Sequence, residues 1–138
     1  MIERSRIIPR ADWRKTWLIR QERIKKEGSE YFSWIVPVTA AAARVTIEIA
    51  KQFPRAGKYM PLDFVEVSNN DDVDLTLTIN GAETLPVPSG TIRSLDNAAL
   101  WQIGITNNDA VTSTVLNRVT VTLRRQPMTI DKWAQRGA

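Results

Sequence analysis

Histidine and cysteine are both absent from the 138 residues, so chemistry would have to come from carboxylates, lysines, tyrosines and hydroxyls. Zinc–thiolate centres, haem ligation, disulfides and Ser–His or Cys–His nucleophile pairs are thereby removed. The densest set of potential ligands is Asn69, Asn70, Asp71, Asp72 and Asp74, hard oxygen donors of the kind calcium accepts. This run lacks the glycine and the distal bidentate glutamate of an EF-hand, and Asp74 falls on the outward phase of the strand that follows. A solvated turn is the simpler reading. Pro88-Ser89-Gly90-Thr91 is not a phosphate cradle, which needs several glycines leading into a helix with a lysine behind them. Its proline and glycine describe a tight corner between strands. Thr91, Ser94 and Ser113 are hydroxyls with no histidine to activate them. No catalytic residue, metal or cofactor is expected, and the chain reads as non-enzymatic.

The elements that would carry any site change character near residue 30. Residues 1–11 are basic and contain Pro9, so they read as an extended arm. Asp12 is suited to N-cap a helix from Trp13 to about Glu27, with Gly28 at its end. At 100° per residue, Trp13, Trp17 and Ile24 fall within about 40° of one another, which predicts an amphipathic helix with one narrow apolar stripe. Arg20 lies on that stripe, its stem able to cover an indole.

From residue 30 onward the hydrophobic period is two, the mark of half-buried strands. Val45, Ile47 and Ile49 alternate with Thr46, Glu48 and Ala50; Val73, Leu75, Leu77 and Ile79 with Asp74, Thr76, Thr78 and Asn80; Val119, Val121 and Leu123 with Arg118, Thr120, Thr122 and Arg124. Less regular strands are expected at 31–38, 62–67, 91–95 and 100–106, with Trp101, Ile103 and Ile105 facing inward. Trp101, Leu77, Val121 and Ile47 are the expected core markers, with Trp34 beside them. Turn signals separate the strands: Pro54 with Gly57, Asn69-Asn70-Asp71-Asp72, Asn80-Gly81, residues 86–90, Asp96-Asn97 and Asn107-Asn108-Asp109. Short strands with frequent turns imply a mainly β fold, an antiparallel β-sandwich of seven to eight strands, jelly-roll or immunoglobulin-like. The expected organisation is a basic arm and amphipathic helix at 1–28, the sandwich at 29–127, and a C-terminal tail at 128–138, with no internal repeat.

Charge is distributed unevenly. Residues 1–28 carry +5, residues 60–110 carry −7 with Arg93 as their one cation, and residues 111–138 carry +4. Basic ends flanking an acidic middle suit nucleic acid, an anionic surface, or acidic patches on copies of the same protein. The longest near-apolar run, from Trp34 to Ala43, falls short of a membrane span. Residues 1–6 have no apolar signal-peptide core, and Ile2 stands where myristoylation needs glycine, so neither export nor lipid anchoring by these routes is expected. Trp13, Trp17 and Trp133 lie outside the expected sandwich. Aromatics flanked by arginine are enriched at interface hot spots, which nominates Arg4, Arg6, Arg10, Trp13, Trp17, Arg20, Ile24 and Trp133 as the partner interface.

The cadence Pro61-Leu62-Asp63-Phe64-Val65-Glu66-Val67, then Asn69-Asn70, then Val73 to Asn80, then Val87-Pro88-Ser89-Gly90-Thr91-Ile92-Arg93, continues through Ile103-Gly104-Ile105-Thr106-Asn107-Asn108 and the last strand. Over residues 61–127 it resembles the small β-sandwich accessory proteins of tailed-bacteriophage virions. The resemblance implies a capsid decoration or auxiliary protein, or a neck or tail component, located in the virion. It also implies a major capsid or other virion protein as partner, and a homo-oligomer. It carries over no functional residues. Two other classes stand beside it: a carbohydrate-binding module, because antiparallel sandwiches present aromatic platforms to sugars, and a nucleic-acid-binding protein working through residues 1–28.

Overall fold

The computed structural model describes residues 10–127, with side chains from residue 15 onward. Two compact units divide the chain: Met1–Gly28 with Pro127–Ala138, and Ser29–Gln126.

In the first unit, α1 spans Arg10–Glu27 and ends where Gly28, at φ 71°, donates its N–H to the Ile24 carbonyl. The helix starts earlier than the sequence suggested, so Asp12 lies inside it and is not its cap. Arg10 and Ala11 are both strong helix formers and extend the first turn. The narrow stripe is also corrected. Ile24 is buried, but Trp17 is 49% exposed and Leu18 and Ile19 are exposed as well, so apolar residues are spread around the helix.

The second unit is mainly β. Its strands are β1 (Phe32–Ile35), β2 (Arg44–Glu48), β3 (Phe64–Asn69), β4 (Leu75–Ile79), β5 (Glu83–Val87), β6 (Ile92–Leu95), β7 (Gln102–Asn107) and β8 (Val119–Arg124). They form two four-stranded antiparallel sheets, ordered β1-β8-β3-β6 and β2-β7-β4-β5. Register carries the alternation seen in the sequence: Trp34 and Val67 both pair with Val121 in the first sheet, while Ile47 pairs with Ile103 and Leu77 with Ile105 in the second. The buried residues of both sheets form one cluster, so the sheets enclose a common core in the manner of a sandwich. Ile47 is half-buried because β2 is an edge strand.

Three local departures have physical causes. Ile49 does not continue β2; it is fully buried and opens a short helix, α2 (Ile49–Gln52), followed by a 3-10 helix at Pro54–Tyr59. This segment covers one end of the core, where Phe32 meets Phe53 and Tyr59 at centroid distances of 5.6 and 6.4 Å. Next, β5 contains Pro86, a residue that argued for a turn; an edge strand tolerates it because it is paired on one side only.

The last departure is Trp101, expected in the core and found 53% exposed. Leu100 and Ile103 are both fully buried, and three residue steps cannot keep two side chains on one face of a regular strand. The alternation breaks between them, where Asn80 Oδ1 accepts hydrogen bonds from both the Trp101 and Gln102 N–H groups at 2.9 and 3.1 Å. The indole is thereby turned out of the core.

Candidate docking groove

Asn80 and Gly81, at φ 53° and 73°, form the tight turn between β4 and β5, with the Ala82 N–H donating to the Ile79 carbonyl. Both central residues need positive φ, which is why an Asn-Gly pair sits there. The Asn80 amide also donates to the Ala99 carbonyl at 2.7 Å, tying the turn to the link between β6 and β7. Between these two connections lies an open groove of about 400 Å³. Ile79, Ala82, Leu95 and Ala98 give it apolar walls, Asn80 and Asn97 add amides, and Glu83 and Asp96 supply two carboxylates, with no lysine or arginine in the lining among the described residues. The Asp96 carboxylate accepts the Asn97 N–H at 2.7 Å, which holds that turn in shape with Asn97 at φ 56°. Such a concavity suits a cationic group carried on an apolar stem.

The opposite connections are cross-linked by polar groups, of which Asn69 and Asp71 are buried and Asp74 is exposed. Asn69 donates to the Val73 and Val87 carbonyls and accepts from Asp71 N–H; Asp71 accepts from the Asp72 and Val115 N–H groups; Asp74 accepts from Ser89 N–H. Of the oxygen donors that nominated a calcium loop, the Asn69, Asp71 and Asp74 side chains are thus engaged with backbone, and the Asp72 carboxylate lies 3.7 Å from the Arg118 guanidinium. No group of three or more Asp or Glu side chains among the described residues is arranged to hold a metal ion. Pro88-Ser89-Gly90-Thr91 is a tight corner, with Gly90 at φ 72° and both the N–H and the hydroxyl of Thr91 bonded to the Pro88 carbonyl.

Asp109 Oδ2 accepts the backbone N–H groups of Val111 and Thr112. These bonds, with a further one from the Thr112 side chain, hold its carboxyl below the ordinary 3.8. Val38, Val111, Val115 and Leu116 are exposed around this end. Elsewhere, Tyr31 is exposed with the Arg124 guanidinium 4.6 Å from its ring centroid.

Of the residues nominated from the sequence, Trp17 and Arg20 are exposed on α1 and Ile24 is buried. Arg4, Arg6 and Trp133, with the side chains of Arg10 and Trp13, lie outside the described residues. The groove itself was missed. Its signal was present as Asn80-Gly81 and Asp96-Asn97, two turns whose proximity only the fold reveals. No helix among the described residues is long and apolar enough to cross a membrane. Comparison with protein-family models, curated proteins and solved structures gives no match to this chain.

Proposed function

We propose that the chain is a non-enzymatic structural protein of a virion, a capsid decoration or auxiliary protein whose sandwich is a jelly roll. The supporting observation is the strand order. Eight strands interleave as β1-β8-β3-β6 and β2-β7-β4-β5, so six of the seven connections cross between sheets and only β4–β5 is a hairpin within one. Double-sheet jelly rolls of eight strands are the architecture of viral capsid domains, and also of lectins and cupins. An immunoglobulin-type sandwich divides its strands differently, with four in one sheet and three in the other in its simplest form.

Fold alone does not assign a role; the charge pattern narrows it. A basic N-terminal segment joined to a sandwich that bears an acidic groove is suited to repeated contacts between copies and with a neighbouring major capsid protein. Many modest contacts on one lattice add up to high avidity. A neck or tail component would use the same contacts. The test is cryo-electron microscopy of gradient-purified particles that encode the chain. Density for an eight-stranded sandwich at regular lattice positions is the expected result; particles that lack the chain overturn the reading.

A second reading, carbohydrate binding, is favoured by one observation, the exposed indole of Trp101. Aromatic platforms of this kind stack on sugar rings. A glycan array gives a saturable hit lost in Trp101→Ala if that reading is right, and none if the structural role stands alone.

A further inference from the structure

We propose that the outer face of the second sheet carries a small oxyanion site, a dimple over Gly104 whose donors suit a tetrahedral anion such as phosphate. The inference goes beyond the reading of the chain as an assembly protein and does not depend on it.

The site begins with a missing side chain. β7 lies between β2 and β4, and in that register Gly104 pairs with Thr46 on one side and with Thr78 on the other. Ile103 and Ile105 both belong to the core, so the position between them faces outward. A glycine inside a central strand weakens it and marks a place where something else comes close to the backbone. A Cβ on Gly104 would stand 3.0 Å from Thr46 Oγ1 and 3.3 Å from Arg44 Cδ, so both of those side chains lean over the glycine. What stays open beside them is a dimple of about 100 Å³, lined by Arg44, Thr46, Thr78, Gly81, Gln102 and Gly104.

The lining is a set of donors. Thr78 lies on the outer face, between Leu77 and Ile79 of the core, where a threonine ordinarily meets water. It is nevertheless 4% exposed, and its hydroxyl has no hydrogen-bond partner. A buried hydroxyl left unpaired costs stability, and this one borders an open space that a ligand can fill. Arg44 donates from Nε to Thr106 Oγ1 at 3.2 Å and makes no ion pair among the described residues, which leaves its terminal nitrogens for a ligand. The side chains of Thr46 and Gln102 likewise have no hydrogen bond among the described residues. No carboxylate lines the dimple among the described residues, and Glu48, cross-strand from Gln102, is held by Lys51 at 3.0 Å. A guanidinium, hydroxyls and an amide without a counter-charge select an anion. They come from three adjacent strands and so approach it from several sides, which suits a tetrahedral ion better than a planar carboxylate. Arg44 and Gln102 are the long side chains of the lining, and a shift of either to meet an entering ion opens the way to the Thr78 hydroxyl.

The test is calorimetric titration of the full-length chain with sodium phosphate at an ionic strength held constant with chloride, beside sodium sulfate, sodium acetate and glucose. Phosphate and sulfate should bind saturably, acetate at least about tenfold more weakly, and glucose not at all. Thr78→Val, which keeps the side-chain volume, and Arg44→Gln, at an exposed residue, should each weaken phosphate at least about tenfold. Thr84→Val, cross-strand from Thr78 but outside the dimple, should leave it unchanged. Matching circular dichroism establishes that each variant is folded. In amide NMR spectra phosphate should move the Gly104 signal of the native chain, and should move it less in Thr78→Val at the same concentration. A native chain with no saturable phosphate binding overturns the proposal. Binding that both folded variants retain overturns it too, because the ion then sits elsewhere on the chain. Glucose binding that is lost in Thr78→Val replaces the anion with a neutral sugar, and acetate held as tightly as phosphate replaces the tetrahedral ion with a carboxylate; either result overturns the site as proposed.

Discussion

Asn69 and Asn107 perform the same task at the same end of the sandwich, one for each sheet. Asn69 closes β3 and Asn107 closes β7, and both are fully buried. The Asn69 amide donates to the Val73 and Val87 carbonyls, and the Asn107 amide to the Thr39 and Thr112 carbonyls. Each side-chain oxygen accepts the N–H two residues on, from Asp71 or Asp109, at 3.0 Å. The next residues match too: Asn70 N–H bonds the Arg118 carbonyl just before β8, and Asn108 N–H bonds the Asp74 carbonyl just before β4. Advancing every strand number by four turns one sheet order into the other read backwards. The two asparagines mark an approximate twofold relation between the halves of the sandwich, and they satisfy peptide groups that lose their ladder partners where the chain leaves one sheet for the other.

Asn69→Ala and Asn107→Ala should each cost about 2–4 kcal/mol, because each strands buried backbone groups without partners. Urea unfolding of the two variants checks this. A cost near zero for either would mean that water replaces the amide.

Thr78 makes the opposite case. Its hydroxyl is buried and has no hydrogen-bond partner. Thr78→Val removes that polar atom at nearly the same volume and should stabilise the protein by about 1 kcal/mol, read as a rise in melting temperature. A fall would indicate that the hydroxyl is satisfied in solution.

Asp109 links the β7–β8 connection to pH. Its carboxyl sits below the ordinary 3.8 because the Val111 and Thr112 N–H groups, and then the Thr112 side chain, bond the charged form. A depressed carboxyl contributes stability that is present above 3.8 and lost as pH falls through its lowered value. Amide exchange at Val111 and Thr112 should therefore speed up under acid beyond the intrinsic pH trend. In Asp109→Asn that extra acid sensitivity should disappear.

Leu77 and Trp101 separate a core position from a surface one. Leu77→Ala should cost about 2–5 kcal/mol at a fully buried site. Trp101→Ala should cost less than about 1.5 kcal/mol despite removing a larger side chain. Equal costs would restore the indole to the core.

The period-two runs of β4 and β8 could be read directly because a central strand buries one face more completely than the other. Sequence failed where the backbone left that period. Ile49 kept the alternation of β2 but serves a helical turn, Pro86 disguised an edge strand, and the double hydrogen bond to Asn80 turned Trp101 outward. The Asn-Asn-Asp triplets at residues 69–71 and 107–109 were visible as turns, yet nothing in a linear pattern says that their amides are buried. An expectation of no internal repeat missed this relation for that reason. The groove was illegible because its two sides are brought together only by sheet topology.

The position of β8 has a consequence for how the molecule is made. The last strand of the sandwich lies between β1 and β3, with Val121 pairing Trp34 on one side and Val67 on the other. On a ribosome, β1 emerges early and must wait, its apolar Phe32 and Trp34 uncovered by their native neighbour, until residue 124 has left the exit tunnel. Among the strands described, only β4 and β5 pair as a local hairpin within one sheet. Closure of the sandwich should therefore wait for β8 and be slow for its size, on the order of milliseconds to seconds once residue 124 has emerged. Chains stalled before β8 would be the form most exposed to aggregation and proteolysis.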